Sequence, residues 1–455
     1  MTRSQRVLLV AILVTFVAFL DGAVINVALP AIQRELGGGL SVQQWVVDGY
    51  LITLGAFILI AGSLSDSFGR LRIMRVGLYG FGATSLLCAL APNALVLVIG
   101  RVLQGAAGAL LVPCSLALII STFAPSEQGK AIGKWTAWTT AAFVVGPLVG
   151  GLLIDAASWR LIFSINLLPI AVALWLMKDL GLDEVHLTRP RVDSVGATLG
   201  VLGLGGPVFA LIEQQRLGWS SPAIYLPLVL GSISFAAFLW WEHRTTDPMM
   251  PLEIFRVRNF GMGNVATLFI YAGFTFGPFA LTVVLQEVGG YTALAAGVAT
   301  LPTVALLIAL AAFFGAWAGR IGPRVFMTVG PIVCGVGFLL TLSLTAEASY
   351  WSQVFPGVTV VGLGMAITVA PLTTAILGAV DPARAGIGSA INNAIARVAG
   401  LIAVASTGII VGTALDLTGY HRAALATAAL LVLGGIVSFA GIRNPQRAPA
   451  EQAIH

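Results

Sequence analysis

The length, composition and charge of the chain exclude a water-soluble protein. Of its 455 residues, 58% are hydrophobic and 9% are charged, whereas a soluble domain carries about 25% Asp, Glu, Lys and Arg. The net charge of +5 requires no nucleic-acid partner, because basic residues spread through loops lie beside anionic lipid headgroups. We therefore expect a membrane protein whose partners include lipids and exclude nucleic acid.

Successive apolar runs predict an all-α polytopic membrane protein with about fourteen transmembrane helices, because about 20 helical residues cross the hydrocarbon core of a bilayer. The first run follows Arg3 and Arg6 as a signal peptide would, but its length and its Asp21 favour a retained helix. The predicted spans are residues 7–28, 45–65, 73–91, 95–120, 131–154, 160–178, 194–213, 222–241, 260–284, 294–318, 324–344, 352–377, 388–413 and 422–441.

The distribution of Lys and Arg predicts the orientation of the chain, since cytoplasmic loops carry an excess of these residues. With the N-terminus inside, 18 of the 24 Lys and Arg residues fall in cytoplasmic segments and 4 fall in outer ones. This split favours an even number of spans. We expect a multi-pass protein of the cell inner (plasma) membrane with both termini in the cytoplasm.

Two weakly similar turns predict a duplicated unit. Residues 62–72 and 315–324 lie 253 residues apart, and each turn follows the second helix of a six-helix unit. Internal duplication is common in transporters, which bind substrate between their two halves. The predicted divisions are a six-helix bundle over 1–178, two inserted helices with their connections over 179–259, a second six-helix bundle over 260–441 and a cytoplasmic tail over 442–455.

The turn at residues 62–72 resembles the cytoplasmic loop signature of the major facilitator superfamily, reading Gly62-Ser-Leu-Ser-Asp66-Ser-Phe-Gly69-Arg70-Leu-Arg72. Four further segments resemble motifs of helices one, four, five and six in fourteen-helix drug:proton antiporters of that superfamily. In chain order these segments are Leu20-Asp21-Gly-Ala-Val-Ile-Asn26-Val-Ala-Leu-Pro30, Arg101-Val-Leu-Gln104-Gly105-Ala-Ala-Gly108-Ala109, Gly133 with Gly146-Pro147-Leu-Val-Gly150-Gly151, and Trp159-Arg160-Leu-Ile-Phe163-Ser-Ile-Asn166-Leu-Leu-Pro169.

The resemblance covers essentially the whole chain and implies the major facilitator fold, with two six-helix bundles and two inserted central helices. It implies a monomeric, cofactor-free carrier that exchanges protons for small, lipophilic or cationic organic compounds by alternating access. The rival interpretations are a proton-coupled importer and a dedicated exporter of a native metabolite or lipid. The sequence has no G-x-x-x-x-G-K-[ST], G-x-S-x-G or H-E-x-x-H motif, so we expect neither an ATP-driven pump, an enzyme nor a metal site.

Two charges inside predicted helices are the candidates for proton coupling, because charged groups in hydrocarbon are costly and usually functional. Asp21 and Arg101 both lie roughly 10 Å below the outer ends of their predicted helices, so the two side chains could meet. Burial favours the neutral carboxyl whereas a nearby arginine favours the carboxylate. A movement that changes their separation would load and release a proton. The alternative is a permanent ion pair that fixes helix packing.

Further polar and aromatic residues inside the predicted spans are candidates for substrate binding. Asp48 either meets a cationic substrate or a proton, or is solvated at the rim of helix two. Arg397 either binds and couples, or extends its charge towards the interface. Aromatic rings from helices five and nine suit an apolar drug cavity. The substrate-binding candidates are Asn26, Asp48, Gln104, Trp138, Tyr271, Phe274 and Arg397.

The signature segments also supply gating candidates, mainly through the resemblance. Asp66 would pair with arginines or a helix N-terminus and hold the two halves in one state; otherwise this turn is a solvated loop that only sets topology. Gly146 and Pro147 would bend helix five and act as a hinge or as a barrier to proton leak between the halves, or they serve packing alone. The gating candidates are Gly62, Asp66, Gly69, Arg70, Arg72, Gly146, Pro147, Gly150, Gly151 and Arg320.

Overall fold

The computed structural model describes residues 2–181, 193–246, 248–381, 384–412 and 414–444. Within these ranges the chain forms eighteen α-helices and no β-strand. The predicted all-α class is therefore confirmed. Most of the predicted cytoplasmic tail lies outside the described residues, as does most of the connection before the inserted helices.

The helices follow one another with short connections. The first eight are α1 (Arg3–Leu36), α2 (Gly39–Phe68), α3 (Arg70–Ala89), α4 (Ala94–Ala109), α5 (Leu111–Thr122), α6 (Pro125–Ala156), α7 (Leu161–Ser164) and α8 (Leu167–Met177). The other ten are α9 (Ser194–Leu217), α10 (Pro222–Arg244), α11 (Arg258–Glu287), α12 (Ala293–Ala299), α13 (Leu301–Ile321), α14 (Arg324–Leu340), α15 (Phe355–Leu377), α16 (Ala385–Ala405), α17 (Thr407–Val411) and α18 (Leu417–Gly441).

The helices account for the predicted spans. In the described ranges, thirteen helical segments are long and apolar enough to cross a membrane. The twenty-residue α3 occupies the remaining predicted span, and its arginines at positions 70, 72 and 75 make it less apolar than the others. The protein is thus a multi-pass membrane protein with close to the predicted fourteen helices.

In three of the spans that are broken into two helices, a proline follows the break. Proline lacks the backbone N–H that would bond to the carbonyl four residues earlier, so it weakens the preceding turn. Pro113 follows the break between α4 and α5, Pro169 the break between α7 and α8, and Pro302 the break between α12 and α13. Each of these spans therefore continues in the same direction across the membrane, and only its backbone conformation changes at the break.

The first eight helices pack mainly on one another, as do α11 to α18, which gives two bundles. The inserted helices α9 and α10 pack as a pair, and α9 contacts α2 and α16. Side-chain hydrogen bonds hold this pair at one end: Trp45 Nε1 donates to Glu213 (2.9 Å), and Gln215 donates to the carbonyl of Gly412 (2.9 Å). The inserted pair thus touches both bundles.

The two halves contact each other at the membrane face opposite to the one where α1 begins. We call these faces the opposite face and the N-terminal face. Asp155 of α6 accepts hydrogen bonds from the backbone N–H groups of Ala293 (3.0 Å) and Leu294 (2.9 Å), which begin α12. Gln286 of α11 donates to the carbonyl of Val27 in α1 (3.1 Å). These bonds close the bundle at the opposite face.

Within the first bundle, α2 and α4 approach closely at Gly105. A Cβ atom at this position would overlap the carbonyl oxygen of Tyr50 and the hydroxyl of Thr53. The Thr53 hydroxyl itself donates across the contact to the carbonyl of Val102 (2.7 Å). Small residues allow such close contacts between helices in lipid. Gly105 is therefore required by the spacing of the two helices.

We expect Gly105→Ala to lower the free energy of unfolding by about 1–3 kcal/mol, because the added methyl group forces α2 and α4 apart. Gly205→Ala is the matched control, since a Cβ at Gly205 meets nothing within 4 Å. Thermal unfolding of both purified variants in detergent measures the difference. Equal melting temperatures would show that the helices do not depend on this contact.

Candidate functional site

The site is built around a charge pair buried inside the first bundle. Asp21 of α1 and Arg101 of α4 are each 1% exposed, and Arg101 Nη1 lies 2.6 Å from Asp21 Oδ2. α1 continues to Leu36, eight residues past its predicted end, so Asp21 lies near the middle of the helix and not near one end. The structure thus joins the two predicted coupling residues in an ion pair.

Amide and hydroxyl groups complete the surroundings of the pair. Gln104 Nε2 and Asn166 Nδ2 each donate to Asp21 Oδ1 at 3.0 Å. The same two nitrogens lie 2.9 Å and 3.3 Å from the Ser85 hydroxyl. We call Asp21, Ser85, Arg101, Gln104 and Asn166 the Asp21 cluster. All five side chains are buried, and the carboxylate accepts three donors from two other spans.

Arg101 also fixes α2 to the cluster. Its Nε donates to the carbonyl of Val46 (2.9 Å), and its guanidinium carbon lies 4.4 Å from the centre of the Tyr50 ring. Its Nη1 donates to Gln104 Oε1 (2.6 Å), which is possible because residues three apart share a helix face. The guanidinium therefore meets one carboxylate, one amide, one carbonyl and two aromatic rings, the second being Phe163 at 5.8 Å.

Local chain features explain why these groups converge. Asn166 lies in the break between α7 and α8, three residues before Pro169. Ser85 lies on α3, one span away from Arg101 in sequence. The five groups thus come from α1, α3, α4 and the α7–α8 break. Protonation of Asp21 would leave the Arg101 charge without its counterion, so the cluster's stability is sensitive to a proton at this carboxyl.

A second carboxyl, Asp48, lies where the two halves meet. It is fully buried, and within the described ranges neither carboxyl oxygen has a hydrogen-bond partner. Four residues earlier on the same helix, Gln44 donates to the carbonyls of Val404 (2.8 Å) and Ala405 (2.9 Å) in α16. Four residues later, Ile52 packs with the same end of α16. Residues at this spacing share a face, so Asp48 faces the other half.

The remaining substrate-binding candidates lie at different depths of the bundle. Arg397 is partly buried on α16, and its Cβ lies 3.7 Å from where a Cβ of Gly55 would stand. Tyr271 and Phe274 of α11 are ring neighbours, with centroids 5.8 Å apart. Trp138 of α6 is 62% exposed. Only Gln104, among these candidates in the described ranges, hydrogen-bonds to Asp21; partly buried Asn26 does not.

The predicted hinge residues of α6 form close helix contacts. A Cβ added at Gly146 would lie 2.8 Å from Ala23, and one at Gly150 would overlap Val24, so both glycines let α1 approach. A Cβ added at Gly151 would overlap the backbone of Leu294, so this glycine lets α12 approach α6. Together with the Asp155 bonds to α12, these contacts pack α6 against both halves at the opposite face.

Comparison with known proteins gives the family. The sequence profile of the Major Facilitator Superfamily matches residues 11–404. The chain belongs to the major facilitator superfamily. This membership confirms the predicted fold, and it agrees with the crystal structure of a D-xylose–proton symporter, which covers 97% of this chain and is itself 99% covered, at a TM-score of 0.70 and 14% identity.

Curated superfamily members also resemble the chain over most of its length. The Multidrug resistance protein Stp of Mycobacterium tuberculosis (strain CDC 1551 / Oshkosh) is 34% identical over 421 residues, which are 92% of this chain and 78% of that protein. The Methylenomycin A resistance protein of Bacillus subtilis (strain 168) is 33% identical over 438 residues, which are 96% of this chain and 92% of that protein. The chain is thus similar to drug-resistance members of the superfamily.

The superfamily signature at the N-terminal face links α2, α3 and α5. Gly69 adopts φ +91° between α2 and α3, a conformation that favours glycine. Arg70 Nη1 donates to the carbonyl of Ala117 in α5 (3.0 Å), whereas Arg72 and Arg320 are exposed. Gly62 and Asp66 fall in the last turns of α2, and the surroundings of both residues lie outside the part of the chain that is described. Their gating roles stay predictions.

Two members of the Asp21 cluster were absent from the sequence-based candidates. Asn166 stands in the sixth-helix superfamily motif, and Pro169 predicts the break that holds it, so the motif and the proline together would have suggested it. Ser85 carries no comparable signal. Its role becomes visible only when the hydroxyl is found beside Gln104 and Asn166.

We expect Arg101→Met to destabilise the protein by about 3–5 kcal/mol, because it leaves a buried carboxylate without its counterion. Adding Asp21→Asn should restore at least half of the loss, since the unpaired charge is then removed. Thermal unfolding of the two single variants, the double variant and the unmodified protein in detergent gives a double-mutant cycle that measures the coupling between the two residues. If the second substitution adds to the loss, the two residues do not act as a buried pair.

Proposed function

We propose that the protein is a proton-coupled secondary transporter that exports small, lipophilic or cationic organic compounds by alternating access. The observation that supports this most strongly is the Asp21 cluster. A carboxylate paired with arginine in the interior of a membrane bundle is costly. Its three donors hold a titratable carboxyl in a defined position, which is the chemistry that proton coupling requires.

The names of the relatives support export over import. The Stp protein and the methylenomycin protein are both named for drug resistance. A carrier confers resistance when it moves the compound out of the cell. The fold alone does not decide direction, since a D-xylose–proton symporter shares it. We therefore favour drug export over a proton-coupled importer or a dedicated carrier of a native metabolite or lipid.

The proposed coupling step follows from charge. A proton binding the Asp21 carboxylate gives a neutral carboxyl, and the Arg101 guanidinium then contributes an uncompensated positive charge. A cationic compound near the cluster becomes unfavourable in that state. Release of the proton restores the ion pair, which removes the repulsion between Arg101 and a bound cation. Proton and substrate thus occupy the protein alternately, as exchange requires.

The contacts at the opposite face fit one end state of the transport cycle. Asp155 caps the start of α12 across the two halves, and Gly151 packs against Leu294. Opening this face requires that these bonds break. In the proposed orientation the N-terminal face is cytoplasmic, both termini lie there, and the described state is closed towards the outside of the inner membrane. The unit that carries out the cycle is proposed to be a monomer without cofactor or catalytic activity.

We expect Asp21→Asn to lower substrate-dependent proton movement at least about tenfold, because the amide cannot bind and release the proton. The measurement uses purified protein in vesicles under an imposed pH gradient. It follows lumenal pH while lipophilic cations and neutral drugs are added.

The control is Glu347→Gln, which removes one negative charge at an exposed position. Its proton movement should match that of the unmodified protein. Full coupling in Asp21→Asn would refute the assignment of Asp21, and no counterflow with any compound in the unmodified protein would favour a dedicated metabolite or lipid carrier.

Asp48 is proposed to meet cationic substrates when α2 and α16 separate. We expect Asp48→Asn to slow the export of a lipophilic cation about tenfold, which corresponds to about 1.4 kcal/mol, and to change export of a neutral drug less than about twofold. Uptake assays in the same vesicles compare the two compounds. An equal loss for both compounds would show that Asp48 has no role in charge selection.

A further inference from the structure

An apolar cavity of about 320 Å³ lies between the inserted pair and both bundles. Its walls come from α2, α9, α10, α11, α16 and the connection after α10. The lining is apolar apart from Asn264, whose amide donates to the carbonyl of Phe260 (2.9 Å) and accepts from Asn392 (3.0 Å). This volume is at the lower end of the range for small-molecule pockets.

A buried carboxyl lies behind Gly196 at one end of the cavity, outside the lining itself. Glu242, near the end of α10, is 2% exposed. Its Oε2 accepts from the backbone N–H of Met250 (2.8 Å), whereas its Oε1 has no hydrogen-bond donor among the described residues. A Cβ built at Gly196, which lines the cavity, would lie 2.9 Å from this free oxygen. This oxygen therefore lies directly behind the cavity wall at Gly196.

A second carboxyl stands beside the first. Asp193 caps α9 by accepting from the N–H of Gly196 (2.8 Å) and also accepts from Trp241 Nε1 (2.9 Å). Its Oδ2 would lie 2.6 Å from a Cβ at Gly196. Across the described ranges, neither Asp193 nor Glu242 belongs to an ion pair. The region behind Gly196 is thus acidic, and neither carboxyl is paired with a cation in the part of the chain that the structure describes.

We propose that this cavity is an entry site for lipophilic cations, with the apolar body against the cavity wall and the cationic group at Glu242 and Asp193. A buried carboxylate without a counterion is costly, and a bound cation removes that cost. The apolar surface supplies the remaining affinity. The inference rests on the proposed export of such compounds but names a site that is separate from the Asp21 cluster.

The position of the cavity suits entry from the membrane. Glu242 and Gly196 lie where α10 ends and α9 begins, at the N-terminal face. From Gly196 to Leu204 the cavity follows α9 over roughly 12 Å of helical rise. Its inner wall includes Gly55 of α2, which packs beside Arg397 at the contact between the halves. The cavity therefore leads from one membrane face to the interface that opens during transport.

Binding is measured with two probes that share an apolar body. Trimethylammonium-diphenylhexatriene carries a cationic group, and diphenylhexatriene does not. Each is titrated into the full chain in phosphatidylglycerol nanodiscs without a pH gradient, and energy transfer from tryptophan reports binding. Glu242→Gln should weaken binding of the cationic probe about tenfold or more and leave the neutral probe unchanged. Glu347→Gln, the exposed control, should change neither.

A filled cavity supplies an independent variant. A Cβ at Gly200, which lines the cavity, meets nothing within 4 Å, and the same holds for Gly205, which does not line it. Gly200→Phe should therefore fold and weaken binding of both probes, whereas Gly205→Phe should bind as the unmodified protein does. Binding that is equal in all four variants would overturn the proposal.

Two further measurements distinguish the entry site from a lipid-headgroup site and from the coupling site. Replacing part of the phosphatidylglycerol with phosphatidylethanolamine should leave probe affinity unchanged; a loss of about tenfold would overturn the proposal in favour of a lipid-headgroup site. Asp21→Asn, expected to abolish proton coupling, should still bind the cationic probe at the entry site. Binding of the cationic probe to an unmodified protein that shows no proton counterflow would mean that proton-coupled export is wrong and the entry site is right. Counterflow with unchanged binding in Glu242→Gln would mean the reverse.

Discussion

The structure depends on one constraint, which is that a charge inside a membrane bundle needs a counterion and a complete set of hydrogen bonds. Asp21 and Arg101 supply each other's counterion at 2.6 Å. Gln104 and Asn166 supply the remaining donors to the carboxylate, and the guanidinium reaches the backbone of α2. Satisfying one charge pair therefore fixes the relative positions of five elements, and any change in the protonation of Asp21 acts on all of them together.

The contacts between the two halves have a different character from the Asp21 cluster. They consist of glycines that let helices approach, such as Gly151 against Leu294, and of side chains that bind backbone groups, such as Asp155 and Gln44. None of these is an ion pair between two charged side chains in the described part of the chain. Contacts of this kind can be broken and remade at modest cost. The first bundle is thus suited to move as a unit, and the interface between halves is suited to open.

The sequence predicts those features that follow from local chemistry. Apolar runs predict the spans, and the intramembrane charges Asp21 and Arg101 predict a pair, because neither is tolerated alone in hydrocarbon. What depends on helix rotation and crossing could not be read from the chain. Ser85 and Asn166 join the cluster from 81 residues apart, Asp48 faces α16 only because of how α2 is turned, and the cavity beside Glu242 requires six elements to be assembled. The extension of α1 to Leu36 was missed since Gln33, Arg34 and Glu35 read as a polar connection.

The most direct test of the central claim is to observe the proton on Asp21. Infrared difference spectroscopy of the purified protein in lipid, with and without a transported cation, detects the carbonyl stretch of a protonated carboxylic acid. The account predicts a band that appears on acidification, disappears when the cation binds and is missing in Asp21→Asn. If substrate still exchanges for protons but no band depends on Asp21, then Asp21 and Arg101 form a permanent structural pair, and coupling occurs at another carboxyl.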